Sequence, residues 1–157
     1  MDGVEKDDAG DAPLAGGWQT TVHRIGSSVR RSPSIWSRSV VDFLGHLEAA
    51  DFTAAPRPVG RGFDEHGNEL LTFIEGQSPQ PEPWNDDAIV RLGELIASLH
   101  DAAHTYAPPA GAIWKDWFGR RLGSPTAGVG HGDLGPWNIM AIDDVPVGFI
   151  DWDTAGP

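Results

Sequence analysis

The stretch HGDLGPWNIMAIDDVPVGFIDWD, residues 131–153, decides how the chain is read. NIMAI and PVGFI are apolar and flank an aspartate pair, which reads as a β-hairpin turning at Asp143 and Asp144. Asp133 follows His131 by two, Asn138 follows Asp133 by five, and Asp151 follows Asn138 by thirteen. Antiparallel pairing brings the outer ends of a hairpin together, so Asn138 and Asp151 are expected side by side. An amide oxygen beside a carboxylate is a hard, oxygen-only donor pair that suits Mg²⁺. Asp133, in the loop before the hairpin, can face the same point without ligating a metal. A carboxylate there accepts or orients the proton of an attacking hydroxyl.

Working outward, residues 1–13 hold Asp2, Glu5, Asp7, Asp8 and Asp11 with little apolar company and read as a disordered acidic lead-in. Val22 and Ile25, then Val29, suggest two short strands joined by a turn at Gly26–Ser27. In 34–50, Ile35, Val40, Phe43, Leu44 and Leu47 fall near helical spacing. AAPRPVG, from residue 54, reads as punctuation, and a strand is expected from about Glu69 to Ile74. The proline-rich QSPQPEPWN places a hinge near residue 80. A second helix opens at Asn85 or Asp86, with Ile89, Leu92, Ile96 and Leu99 recurring at three and four. Trp114, Trp117 and Phe118 form an aromatic cluster before the glycine-rich approach to His131. Strands, helix, strand, linker, helix, loop and hairpin in that order give an α+β fold in two unequal parts.

Composition narrows the classes. With 157 residues, 39% hydrophobic and 22% charged, the chain has the make-up of one globular domain. A net charge of −12 argues against nucleic acid as a partner and is compatible with a cationic small molecule. The absence of cysteine excludes disulfides and thiolate chemistry. No apolar run approaches the roughly 18 residues of a membrane helix. Met1–Asp11 lacks the apolar core of a signal peptide, so no membrane and a cytoplasmic location are expected.

His131-Gly132-Asp133 and Asn138, followed by Asp151, match the spacing of the kinase pattern H-R-D-x-x-x-x-N with a later metal-binding Asp. The wording HGDLGPWNIM and IDWDTAGP resembles the aminoglycoside phosphotransferase and choline kinase family of small-molecule kinases over about residues 14–157. That resemblance implies a protein-kinase-like two-lobed fold. Residues 14–79 would form a small β-rich nucleotide-binding N-lobe, and 80–157 a partial helical C-lobe carrying the catalytic loop and hairpin. It implies ATP, or another nucleoside triphosphate, with Mg²⁺, and a hydroxylated acceptor of aminoglycoside or amino-alcohol type. Asp133 would be the catalytic base, and Asn138 and Asp151 would hold the metal. Asp153 would be a further contributor to the metal shell, and His131 a structural brace.

The chain departs from the family pattern in three ways. GGWQTTVHRIG has no G-x-G-x-x-G, and Gly16–Gly17 reads equally as a turn. The only lysines are Lys6 and Lys115, so no lysine stands where a kinase places its third-strand lysine. Arg30, then Arg31, are the candidates to grip nucleotide phosphates instead, one facing inward and one facing solvent. A solvated surface pair is the competing reading. The partner glutamate expected on the next helix is missing, with Val40 and Val41 in its place and Glu48 at the far end. Family members also continue well beyond the later Asp, whereas this chain ends at Pro157. The expected consequence is a C-terminally shortened lobe with Phe149 and Trp152 exposed. Two alternatives stay open: a catalytically inactive remnant serving as a nucleotide-binding or interaction module, and a metal-dependent hydrolase using His131, Asp133, Asp151 and Asp153.

Overall fold

The computed structural model of the chain describes residues 12–13, 22–80, 82–117 and 128–157. Strands β1 (Ala12–Pro13), β2 (Val22–Ile25), β3 (Ser28–Arg31), β4 (Pro58–Phe63) and β5 (Glu69–Thr72) form an antiparallel sheet in the order β1-β2-β3-β5-β4. Helix α1 (Ser37–Ala49) links β3 to β4, and helix α2 (Asp86–His104) follows the proline-rich connector. Strands β6 (Ile139–Ile142) and β7 (Val145–Phe149) form a separate hairpin. The mixed sheet-and-helix architecture with a small β-rich part is the one expected. The last two residues of the acidic lead-in pair with β2, while residues 1–11, Gly16–Gly17 and Phe118 lie outside the described residues.

Strand β4 replaces what reads as punctuation. Pro58, Gly60 and Gly62 all lower strand propensity, and the pairing with β5 is irregular there. Gly62 has φ +78°, and a side chain on it would strike Val41 of α1. The helix therefore packs directly on strand backbone.

Helix α1 points Val40, Phe43, Leu44 and Leu47 into the core, each fully buried. Each such side chain contributes roughly 1.5–3 kcal/mol of burial. Against them lie Phe52, Phe149 and Trp152, with Phe43 edge-on to Trp152 at 5.9 Å and Phe52 stacked on Phe149 at 6.3 Å. The expectation that Phe149 and Trp152 would be exposed is therefore wrong: they are 0% and 2% exposed. Their cover comes from α1 and the 52–55 turn, where Phe149 N–H donates to Ala54 O at 2.8 Å.

Helix α2 is capped by Asn85, whose side chain accepts from Ala88 N–H at 2.8 Å. Its buried face is Ala88, Leu95, Leu99, Ala102 and Ala103, with Leu92 and Ile96 packed alongside. Ile89, expected inside, is exposed. The connector is tied to the hairpin: Gln77 and Ala141 exchange both backbone hydrogen bonds at 2.9 Å, and Ser78 Oγ donates to Pro136 O. Among the described residues no helix is long and apolar enough to cross a membrane.

Candidate active site

The hairpin sets the site. Asp143 and Asp144 have φ of 50° and 61°, the signature of a tight two-residue I′ turn, so the aspartates at the tip are turn formers. At the open end Ile150 N–H donates to Asn138 O at 2.9 Å, which seats Asn138 beside the residue preceding Asp151. Asn138 closes a single 3₁₀ turn, Pro136–Asn138, and is buried. Its amide nitrogen donates to Asp133 O at 2.8 Å and to Asp133 Oδ2 at 3.2 Å. Both partners are acceptors, so the amide oxygen must occupy the other position.

Asp133 Oδ2 also accepts from Trp137 Nε1–H at 3.3 Å. One carboxylate oxygen is thus anchored twice. Among the described residues, Asp133 Oδ1, Asn138 Oδ1 and the Asp151 carboxylate receive no hydrogen bond. Three acceptor groups with strong acceptor chemistry are thus left without a donor among the described residues.

His131 is turned away from them. Its Nε2–H donates to Ile150 O at 2.9 Å, and its Nδ1 accepts from Asp133 N–H at 3.3 Å. The ring packs on Trp152 at 4.4 Å, and Thr154 Oγ1 donates to His131 O at 3.0 Å. Both ring nitrogens are occupied, which removes the hydrolase reading that needed this imidazole on a metal. Burial drives the His131 pKa down to about 4, so the ring is neutral at pH 7. The unfolded chain takes up a proton near pH 6.5 that the native ring refuses. Stability is therefore expected to fall as pH drops from about 6.5 towards 4. The urea midpoint should correspond to about 2 kcal/mol less stability at pH 5 than at pH 7.5; an equal or higher midpoint at pH 5 would contradict the assignment.

Between His131 and Asp133, Gly132 has φ +84°, and a Cβ there would collide with Thr154 O. Gly132→Ala is expected to cost at least about 2 kcal/mol, read as a lowered melting temperature. An unchanged melt would show that the loop does not close on the 152–154 turn.

Asp151 sits at φ 59°, ψ 67°, a left-handed conformation costing a non-glycine residue about 1–3 kcal/mol. Burial raises its pKa, and Asp153 and Asp133 raise it further, while Arg31 and Lys115 pull it down. The like charges of Asp153 and Asp133 favour a cation near Asp151. Among the described residues no three His, Cys, Asp or Glu side chains come together to hold a metal alone. Asn138 Oδ1 and the Asp151 carboxylate are hard oxygen donors of the kind that would hold a Mg²⁺.

Arg31 faces inward from β3. Its Nε donates to Glu69 and its Nη2 to Asp153 Oδ1, the latter at 2.5 Å. Burial alone would lower the guanidinium pKa, but Asp153 and Glu69 together raise it above its ordinary value. Asp153, expected near the metal, is thus bound to Arg31. Arg30, Cα partner of Leu70, takes the opposite face by strand alternation. Glu69, the Cα partner of Arg31 on β5, is 1% exposed and also accepts from Ser37 Oγ at the start of α1. The carboxylate sought on the helix therefore stands on the neighbouring strand, and the helix contributes a hydroxyl. Sequence reasoning passed over Glu69 and Ser37. The available signal was parity: Glu69 shares a strand face with buried Leu71.

Two clefts lie elsewhere: one of about 300 Å³ beside Thr53, Arg57, Phe73 and Val147, and one of about 500 Å³ between α1 and β4. Neither is lined by Asp133, Asn138 or Asp151.

Comparison with known proteins decides the lineage. Residues 12–123 and 109–157 match the phosphotransferase enzyme family. The chain belongs to that family. Among its relatives is a trifolitoxin immunity protein from Rhizobium leguminosarum bv. trifolii, 49% identical over 144 residues, covering 92% of this chain and 55% of the relative. A choline/ethanolamine kinase family protein from Mesorhizobium loti shares the fold, with a TM-score of 0.51 and 17% identity. That match covers 94% of this chain and 59% of the other. The chain thus spans somewhat more than half the length of these family relatives.

Proposed function

We propose that the chain carries the chemical centre of an ATP-dependent phosphotransferase acting on a hydroxyl of a small molecule. Residues 14–79 form its nucleotide-binding part and 80–157 its catalytic part. The observation that carries the reading is the set of three acceptor groups without donors among the described residues, on Asp133, Asn138 and Asp151, around the open end of one hairpin. Asp133 Oδ1 takes or orients the proton of the acceptor hydroxyl while Oδ2 is held by Trp137 and Asn138. The acceptor oxygen then bonds to the terminal phosphorus as the bond to the leaving diphosphate breaks. Mg²⁺ held by Asn138 and Asp151 would neutralise charge on the phosphates. Most of the remaining catalysis is positioning. His131 braces the loop, and Arg31 ties β3 to the turn after β7.

The net charge of −12 favours a cationic acceptor of aminoglycoside or amino-alcohol type. The immunity description of a relative fits an activity that disarms a harmful compound. ATP consumption with Mg²⁺ across a panel of aminoglycosides and amino alcohols tests the proposal. Mg-ATP binding without turnover on any acceptor would favour an inactive nucleotide-binding module instead.

A further inference from the structure

Trp137 lies in the 3₁₀ turn Pro136–Asn138 and is 55% exposed. A tryptophan usually buries about 150–250 Å². This one keeps more than half its surface in water, so core packing does not account for it. It is nonetheless held still. Its Nε1–H donates to Asp133 Oδ2 at 3.3 Å. The turn that carries it is closed by Asn138 N–H on Gly135 O at 2.9 Å, and tied to the connector by Ser78 Oγ on Pro136 O at 3.0 Å. Gly135 is the seat of the ring. Its φ of −74° and ψ of 160° are extended values open to any residue, so the backbone does not require glycine there. A Cβ at that position would instead fall on the indole carbons Cε2, Cζ2 and Cη2. One face of the ring therefore rests on Gly135 and the Nε1 edge on Asp133, while the other face is turned to solvent among the described residues.

We propose that Trp137 is an acceptor-binding residue, whose open indole face takes an ammonium group of the acceptor beside the Asp133 oxygen that receives the hydroxyl proton. The inference deepens the phosphotransferase reading above and rests on it. An ammonium over an indole face is held within about 6 Å of the ring centroid by cation–π attraction. The Asp133 carboxylate beside the ring adds a charge of the right sign. A neutral acceptor would gain from neither. Ring and carboxylate are in hydrogen-bond contact, so the ammonium and the reacting hydroxyl that they serve stand only a short spacer apart. The acceptor class is then a vicinal amino alcohol, free or carried on a larger ring system.

The test follows the indole N–H signals of the seven tryptophans by NMR, with Mg²⁺ and a non-hydrolysable ATP analogue present. Trp137→Leu identifies the Trp137 signal by its loss. The probes are ethanolamine, cationic at neutral pH, and propanol, which carries a methyl in place of the ammonium. Ethanolamine is expected to shift the Trp137 signal and to bind about three- to tenfold more tightly than propanol. Trp137→Leu is expected to remove that preference, with the affinity read from neighbouring backbone amides. Gly135→Ala is expected to do the same by displacing the ring, with melting temperature and Mg-ATP affinity retained. Equal affinity for the two probes would overturn the inference and leave the function standing. So would an unmoved Trp137 signal, or a preference that survives in both variants. A wild-type chain that binds no Mg-ATP would overturn the phosphotransferase reading and the acceptor role with it.

Discussion

Asp133→Asn is expected to lower phosphoryl transfer by about 10²–10⁴-fold while leaving Mg-ATP affinity and the melting temperature close to those of the parent. The separation follows from the two oxygens of Asp133. Oδ2 accepts from Trp137 and Asn138, and an asparagine carbonyl oxygen can keep both bonds. The other position becomes an NH₂ group, which donates where a proton must be accepted. Steady-state turnover and calorimetry on the same sample distinguish the outcomes. Intact turnover would remove Asp133 as the base, and a large fall in melting temperature would show that its main contribution is to the loop.

Arg31→Leu has the largest expected effect on stability, a loss of about 3–5 kcal/mol. Glu69 is 1% exposed, and its remaining partner would be the Ser37 hydroxyl. Asp153 would lose its charge partner beside Asp151, whose pKa the neighbouring carboxylates already raise. A buried carboxylate deprived of its cation forfeits the attraction and keeps the desolvation cost. The urea midpoint should fall accordingly, and Arg31→Leu combined with Glu69→Leu should recover part of the loss. Arg31→Lys should fall between, because one ammonium cannot reproduce a two-carboxylate fork. A loss under about 1 kcal/mol in Arg31→Leu would place the pair in the class of solvent-screened surface contacts.

Much of the site was legible because its signals are local. The hairpin shows in the apolar runs around Asp143–Asp144, and antiparallel geometry then joins Asn138 to the Asp151 end with no further information. The α2 cap is equally local, set by Asn85 three residues before Ala88. What escaped was long-range. The burial of Trp152 depends on Phe43 and that of Phe149 on Phe52, each about a hundred residues earlier, and nothing near Trp152 announces that cover. Strand β4 was hidden by Pro58, Gly60 and Gly62, whose poor propensity is overridden by pairing with β5 and packing on α1. Glu69 looked like the polar start of a strand, and its burial is decided across the ladder by Arg31.

The two-residue turn at Asp143–Asp144 carries a last consequence. The hairpin acts as a calliper, with Asn138 and Asp151 as its jaws and the number of residues between them as its setting. Side chains alternate along a strand, so one inserted or deleted residue sends every later side chain in β7 to the opposite face. Phe149 would leave the core, and Asp151 would leave the side of Asn138. The identities of the tip residues are therefore open to change, as long as they accept positive φ, whereas the length of the tip is a constraint on the chemistry more than ten ångströms away, four rises of a strand at about 3.4 Å each.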